Sequence, residues 1–142
     1  MDARKLKRRF GTGLAAFACL AGDAGAAGGV VVIGHPGVSG VDPPTLEKIY
    51  TGRVIEVNGT FVIAVNAAPG SELRNRFLQT YLHQDEDKYT AYWVVRRYIG
   101  KGASPRELPS SADVIRFVNS TPGAIGYVTD ADVQPGMNIL LK

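Results

Sequence analysis

Thr60-Phe61-Val62-Ile63-Ala64-Val65-Asn66-Ala67-Ala68-Pro69-Gly70-Ser71-Glu72-Leu73 is the stretch on which the fold turns. Its first half is mostly β-branched and apolar, which suits a strand inside a sheet rather than at its edge. Pro69-Gly70 breaks the run, and Ser71 stands where a helix N-cap belongs. Leu73, Phe77 and Tyr81 then recur at i, i+4 and i+8, the stripe of a helix packed by one face. Strand, tight turn and helix in immediate succession are the unit of an α/β domain.

The same alternation extends in both directions. Upstream, Val54-Ile55-Glu56-Val57 and Asn58-Gly59 complete a hairpin signal, because Asn-Gly supplies the two positive φ values of a type I′ turn. Asp42-Pro43-Pro44-Thr45 has the form of a helix start, with Leu46, Ile49 and Tyr50 as the apolar stripe and Gly52 as the stop. Val30-Val31-Val32-Ile33 reads as a strand covered on both faces. Downstream, Asp85, Glu86 and Asp87 suit the N-terminus of another helix. Tyr89, Tyr92, Trp93 and Ile99 form its apolar face, and Gly100 ends it. Lys101 to Pro109 reads as a loop. Ser110 or Ser111 caps a helix through Val114, Ile115 and Val118. Ala124–Val128 and Asn138–Leu141 are two further strands. The order predicts an α/β domain with a mixed sheet flanked by helices.

The N-terminus has a different character. Arg4-Lys5-Leu6-Lys7-Arg8-Arg9 is basic, Phe10 to Leu20 is apolar, and Ala24-Gly25-Ala26 is small. That three-part pattern predicts a signal peptide over residues 1–26, cleaved near Ala26 or Ala27, and hence a periplasmic domain over 27–142. The apolar run is too short to span a bilayer, and no later stretch is longer. Removing the leader changes the charge. The chain has 16 Lys+Arg and 13 Asp+Glu; five and two of these lie in residues 1–26, leaving 11 of each. A neutral domain lacks the basic footprint that nucleic acid requires. Cys19, the single cysteine, lies in the leader, so the domain has neither a disulfide nor a thiolate metal site.

No catalytic set emerges. His35 and His83 lie in separate loops without metal-ligand spacing. Glu86-Asp87 is explained by the helix N-terminus, and neither a Gly-x-Ser-x-Gly elbow nor a Walker loop occurs. No cofactor is implied, and a non-enzyme is expected. The place with a physical rationale for a ligand is Gly70-Ser71-Glu72. Helix N-terminal N–H groups lack internal partners and favour an oxyanion, and the Ser71 hydroxyl adds a donor. Capping alone is the simpler role for Ser71. The Glu72 carboxylate sits where the anion would go, partly offset by Arg74 and Arg76. Gly37-Val38-Ser39-Gly40 follows a strand end, where open α/β sheets bind ligands. His35 and Ser39 are therefore candidate lining residues, a plain turn being the alternative.

Thr121-Pro122-Gly123-Ala124-Ile125-Gly126-Tyr127-Val128 resembles a segment near the end of the phosphate-binding periplasmic proteins of phosphate ABC transporters. Ile49-Tyr50-Thr51-Gly52-Arg53, the Asn58-Gly59 turn with its following strand, Gly70-Ser71 leading to Phe77, and the aromatic helix Tyr89 to Ile99 fit the same family in order and spacing. The resemblance covers roughly residues 30–128. It implies a type 2 periplasmic-binding-protein-like fold, an envelope location, and a phosphate-like anion as ligand. Family members clamp the anion between two lobes, and this chain suffices for a single lobe. The family's loop has the sense Arg-x-Asp-Gly-Ser-Gly-Thr. Here Ala67, Pro69, Glu72 and Leu73 replace its Arg, Asp, second Gly and Thr, and Gly70 and Ser71 remain. Two functions follow as expectations. One is an exported component of a phosphate transport system that binds a small oxyanion. The other is a ligand-free interaction or scaffold domain of the same fold, which self-associates or docks on an envelope protein.

Overall fold

The computed structural model describes residues 29–142, so the expected leader lies outside the described residues. Strand β1 (Val30–Gly34) is buried along its whole length, as its unbroken β-branched run requires. Helix α1 (Pro43–Tyr50) begins as the sequence predicts. The Asp42 carboxylate accepts from the Thr45 N–H at 2.8 Å, and two prolines fill the first positions. Leu46, Ile49 and Tyr50 are buried.

Asn58 and Gly59 adopt φ of 49° and 78°, the positive pair of a type I′ turn. They join β2 (Glu56–Val57) to β3 (Thr60–Phe61), which form a small sheet of their own. The expected second arm therefore divides at Val62. Its tip stays in the hairpin, and β4 (Ile63–Ala67) enters the main sheet. Helix α2 (Glu72–Phe77) passes into a π-helical turn over Leu78–Leu82, ended by His83 in the left-handed region. Phe77 and Tyr81 of the predicted stripe are buried, and Leu73 is half-buried. Helix α3 (Glu86–Tyr98) buries Tyr89 and Trp93. Ile99, expected on that inner face, instead caps the helix and is 56% exposed.

Strand β5 (Arg106–Leu108) lies within the segment expected to be a loop. Leu108 is its one buried side chain, so no alternation marks the strand in sequence. What forms it is the open edge of β4, with Val65 opposite Arg106 in parallel register. Helix α4 (Ser111–Ser120) is capped by Ser110. Strands β6 (Ala124–Thr129) and β7 (Asn138–Leu141) follow.

The main sheet is mixed, in the order β5-β4-β6-β1-β7. Strands β5, β4 and β6 run parallel, and β1 runs antiparallel to both β6 and β7. Successive residues of β1 face opposite cores. Val30 and Val32 pack with α1, α2, the π turn and α3, whereas Val31 and Ile33 pack with Val114 and Val118 of α4.

Candidate functional site

The sheet's topology fixes where the candidate residues fall. Gly70, Ser71 and Glu72 follow the carboxyl end of β4, on the rim shared with the carboxyl ends of its parallel neighbours β5 and β6. His35 and Ser39 follow β1, which runs the other way; the His35 N–H donates to the Ala124 carbonyl at 2.9 Å, at the start of β6. The two candidate loops thus sit at opposite ends of one sheet and do not form a common site.

Each loop is held mainly through its own backbone. The His35 carbonyl accepts from Val38 N–H at 2.8 Å and from Asn138 Nδ2 at 3.0 Å. The Ser39 carbonyl accepts from Asn58 Nδ2 at 3.2 Å, which ties the loop to the hairpin tip. At the other rim, Ser71 N–H donates to the Ala68 carbonyl at 3.1 Å, and its hydroxyl accepts from Arg74 N–H at 3.3 Å. Ser71 acts as the cap of α2. Gly70 has φ of 75°, and a Cβ there would meet nothing within 4 Å, so backbone conformation rather than close approach calls for glycine. The Glu72 carboxylate is exposed and pairs with Arg76, as expected of a charge-offsetting partner.

Arg74 does not join that pairing. Its side chain turns inward and is 3% exposed. Nε and Nη2 meet the two Glu86 carboxylate oxygens, each at 2.8 Å, in the bidentate geometry that guanidinium favours. Nη1 donates to Glu107 Oε1 at 2.9 Å and to the Ala67 carbonyl at 3.3 Å, and the group lies 5.4 Å from the Tyr89 ring centroid. Burial opposes the charge, but the Glu107 and Glu86 carboxylates more than offset it, and the pKa lies above the ordinary arginine value. This triad joins α2, α3 and β5. The sequence reading missed it, since the partners lie 12 and 33 residues away with no local pattern linking them. Beside it, Arg74, Tyr89, Trp93, Arg97, Ser104 and Glu107 line a small open cleft.

Four of the aromatic residues that carry the family resemblance, Tyr50, Phe77, Tyr89 and Tyr127, are buried. The Tyr127 ring stacks on Phe77 at 3.8 Å between centroids, and Tyr50 tilts against both. The Tyr127 hydroxyl accepts from Ala67 N–H and donates to Asn66 Oδ1, both at 3.0 Å. Asn66 Nδ2 donates to the Tyr89 hydroxyl at 3.0 Å, which donates to the Tyr50 carbonyl at 3.1 Å. The Tyr50 hydroxyl donates to the Val65 carbonyl at 2.8 Å. These buried polar atoms satisfy one another and leave none for a ligand. Burial raises the pKa of Tyr50, Tyr89 and Tyr127 above the ordinary phenol range.

Among the described residues, no group of three or more His, Cys, Asp or Glu side chains could hold a metal ion, and no helix is long and apolar enough to cross a membrane.

No protein-family model matches the sequence, and no curated protein matches it. Solved structures do match. An ABC-type phosphate transport receptor from Vibrio cholerae is 15% identical with a TM-score of 0.61, over 80% of this chain and 45% of that one. A phosphate ABC transporter substrate-binding protein with bound phosphate from Clostridium perfringens is 18% identical, with a TM-score of 0.55, over 80% and 44%. PstS from Borrelia burgdorferi is also 18% identical, with a TM-score of 0.59, over 80% and 47%. The chain spans less than half the length of these structures. Its described residues have the fold of a single lobe of the phosphate ABC transporter substrate-binding proteins.

Proposed function

We propose that this protein is an exported component of a phosphate-type transport system that uses its lobe as an interaction domain rather than as an anion trap. One observation carries the reading: at the Gly70-Ser71 turn the Ser71 hydroxyl caps α2, and the nearby buried cation, Arg74, is neutralised by two carboxylates. An oxyanion there would face the Glu72 carboxylate and would have to compete with water for backbone donors alone. Export rests on the basic, apolar and small-residue order of residues 4–26. Cleavage near Ala26 or Ala27 and recovery in the periplasmic fraction test it.

A second reading has one observation in its favour. The Clostridium perfringens neighbour holds phosphate, and the strand–turn–helix unit with Gly70-Ser71 persists here. A thermal-shift panel of phosphate, sulfate and molybdate separates the two. The interaction-domain reading expects no change in Tm at millimolar anion. Binding would stabilise by about 2.7 kcal/mol at a hundredfold excess over Kd. A stabilisation abolished by Ser71→Ala would transfer the assignment to anion capture.

A further inference from the structure

The cleft beside Arg74 has unmet charge of both signs. Arg74 sets one cation against the carboxylates of Glu86 and Glu107, so the triad keeps one net negative charge. Glu107 gives Arg74 its Oε1 alone, and Oε2 has no hydrogen bond or ion pair among the described residues. Arg97 lines the same cleft from α3, whereas Glu107 enters it from β5, and no ion pair joins them. Among the described residues, Arg97 is the one arginine without a carboxylate, carbonyl or ring partner. Arg53, Arg76 and Arg116 each meet a carboxylate, Arg96 reaches the Gly52 carbonyl, and Arg106 lies over the Phe117 ring.

These groups select a ligand that carries both charges. A lone anion would face the net negative triad, and a lone cation would face Arg97. A free guanidinium suits a carboxylate, and the Ser104 hydroxyl, which has no hydrogen bond of its own, adds a donor. Glu107 Oε2 suits an ammonium N–H. Tyr89 and Trp93 supply apolar lining, but each ring already has an arginine over it, at 5.4 and 5.6 Å from the centroid. The carboxylate, rather than an aromatic cage, therefore holds the ammonium. The cleft volume is about 140 Å³, below the roughly 300–1,000 Å³ of ordinary small-molecule pockets, so the ligand is only a few heavy atoms long.

We propose that this cleft binds a small α-amino acid, with its ammonium on Glu107 Oε2 and its carboxylate on Arg97 and Ser104. The site is separate from the Gly70-Ser71 turn. It goes beyond the interaction-domain reading and holds whether or not the lobe docks on a partner. Both ion pairs face solvent, where such pairs contribute little, so a Kd of about 1 mM is expected.

Trp93 is the chain's single tryptophan, so its fluorescence reports on the cleft directly. Glycine and alanine are titrated into the full chain, read by that fluorescence and by ligand-observed saturation-transfer NMR. Acetate, methylammonium and trimethylglycine are run in parallel. The expected result is saturable binding of glycine and alanine, and none of the other three at the same concentrations. Arg97→Met should weaken binding about tenfold or more and leave Tm unchanged, because Arg97 has no partner to lose. Silence in both readouts overturns the site. Equal binding of acetate or methylammonium overturns it in favour of a single-charge site. Trimethylglycine binding as well as glycine removes the ammonium from Glu107. Indifference to Arg97→Met, or loss of binding in Ser71→Ala, places the ligand elsewhere. An amino acid that fails to bind leaves the interaction-domain reading standing; that reading fails separately, on stabilisation by phosphate.

Discussion

Arg74 shows how a residue suited to a ligand can be given over to the fold. Buried ion pairs add little net stability when compared with apolar replacements, but removing one partner strands the others. Arg74→Ala would leave Glu86 and Glu107 facing each other with no cation between them. Glu86 and Glu107 keep 25% and 44% of their side chains exposed, so water takes up part of the lost attraction, and we expect a loss of about 2 kcal/mol in urea denaturation. A loss under 1 kcal/mol would mean that the triad is not holding α2, α3 and β5 together. The tyrosines give a pH dependence. Burial favours the neutral phenol of Tyr50, Tyr89 and Tyr127 in the folded chain, and the unfolded chain ionises near pH 10.0. Their contribution is therefore complete below that pH and declines as pH rises through and beyond it. The urea midpoint should fall between roughly pH 10 and pH 11.5, and less steeply in Tyr50→Phe. A flat midpoint over that window would contradict the assignment.

At the scale of elements, the Gly123-Ala124-Ile125-Gly126 segment acquires a reason that its sequence alone does not supply. Gly123 has φ of 81°, and a Cβ there would lie 2.0 Å from the Phe61 carbonyl oxygen. Gly126 lies under α4, where a Cβ would meet Val114 Cγ1 at 2.7 Å and Val65 and Val118 methyls at 3.1 and 3.2 Å. Gly126→Ala must therefore push α4 off the sheet. Overpacking of this kind costs about 1–3 kcal/mol, so a lower Tm with unchanged far-ultraviolet dichroism is expected. An unchanged Tm would show that α4 yields freely. Local chemistry predicted the starts of α1 and α4 and the Asn58-Gly59 turn, because caps and positive φ values are properties of a few neighbouring residues. It did not predict β5 or the division of the hairpin arm at Val62. Both depend on which strand edge is available, and that edge is made by residues far away in sequence.

In the molecule as a whole, one sheet separates two cores, and β1 contributes alternate residues to each. Neither core can be lost without uncovering a face of the other's sheet. Unfolding should accordingly be a single transition. Trp93, on the α1–α3 side, reports one core by fluorescence, and far-ultraviolet dichroism reports helices on both sides. Coincident midpoints are expected in the native chain and in Gly126→Ala, whose lesion lies on the opposite face. Separate transitions would mean that the layers fold independently. The amino-acid sequence by itself determined the α/β class, the helix caps and the buried run of β1, since these rest on periodicity and short-range hydrogen bonding. Only the tertiary structure decided their use. Antiparallel pairing of β1 with β6 carried the His35–Ser39 loop to the far end of the sheet from Ser71. Packing across long sequence separations turned Arg74 inward and tied the Tyr127 hydroxyl to Ala67 in the core.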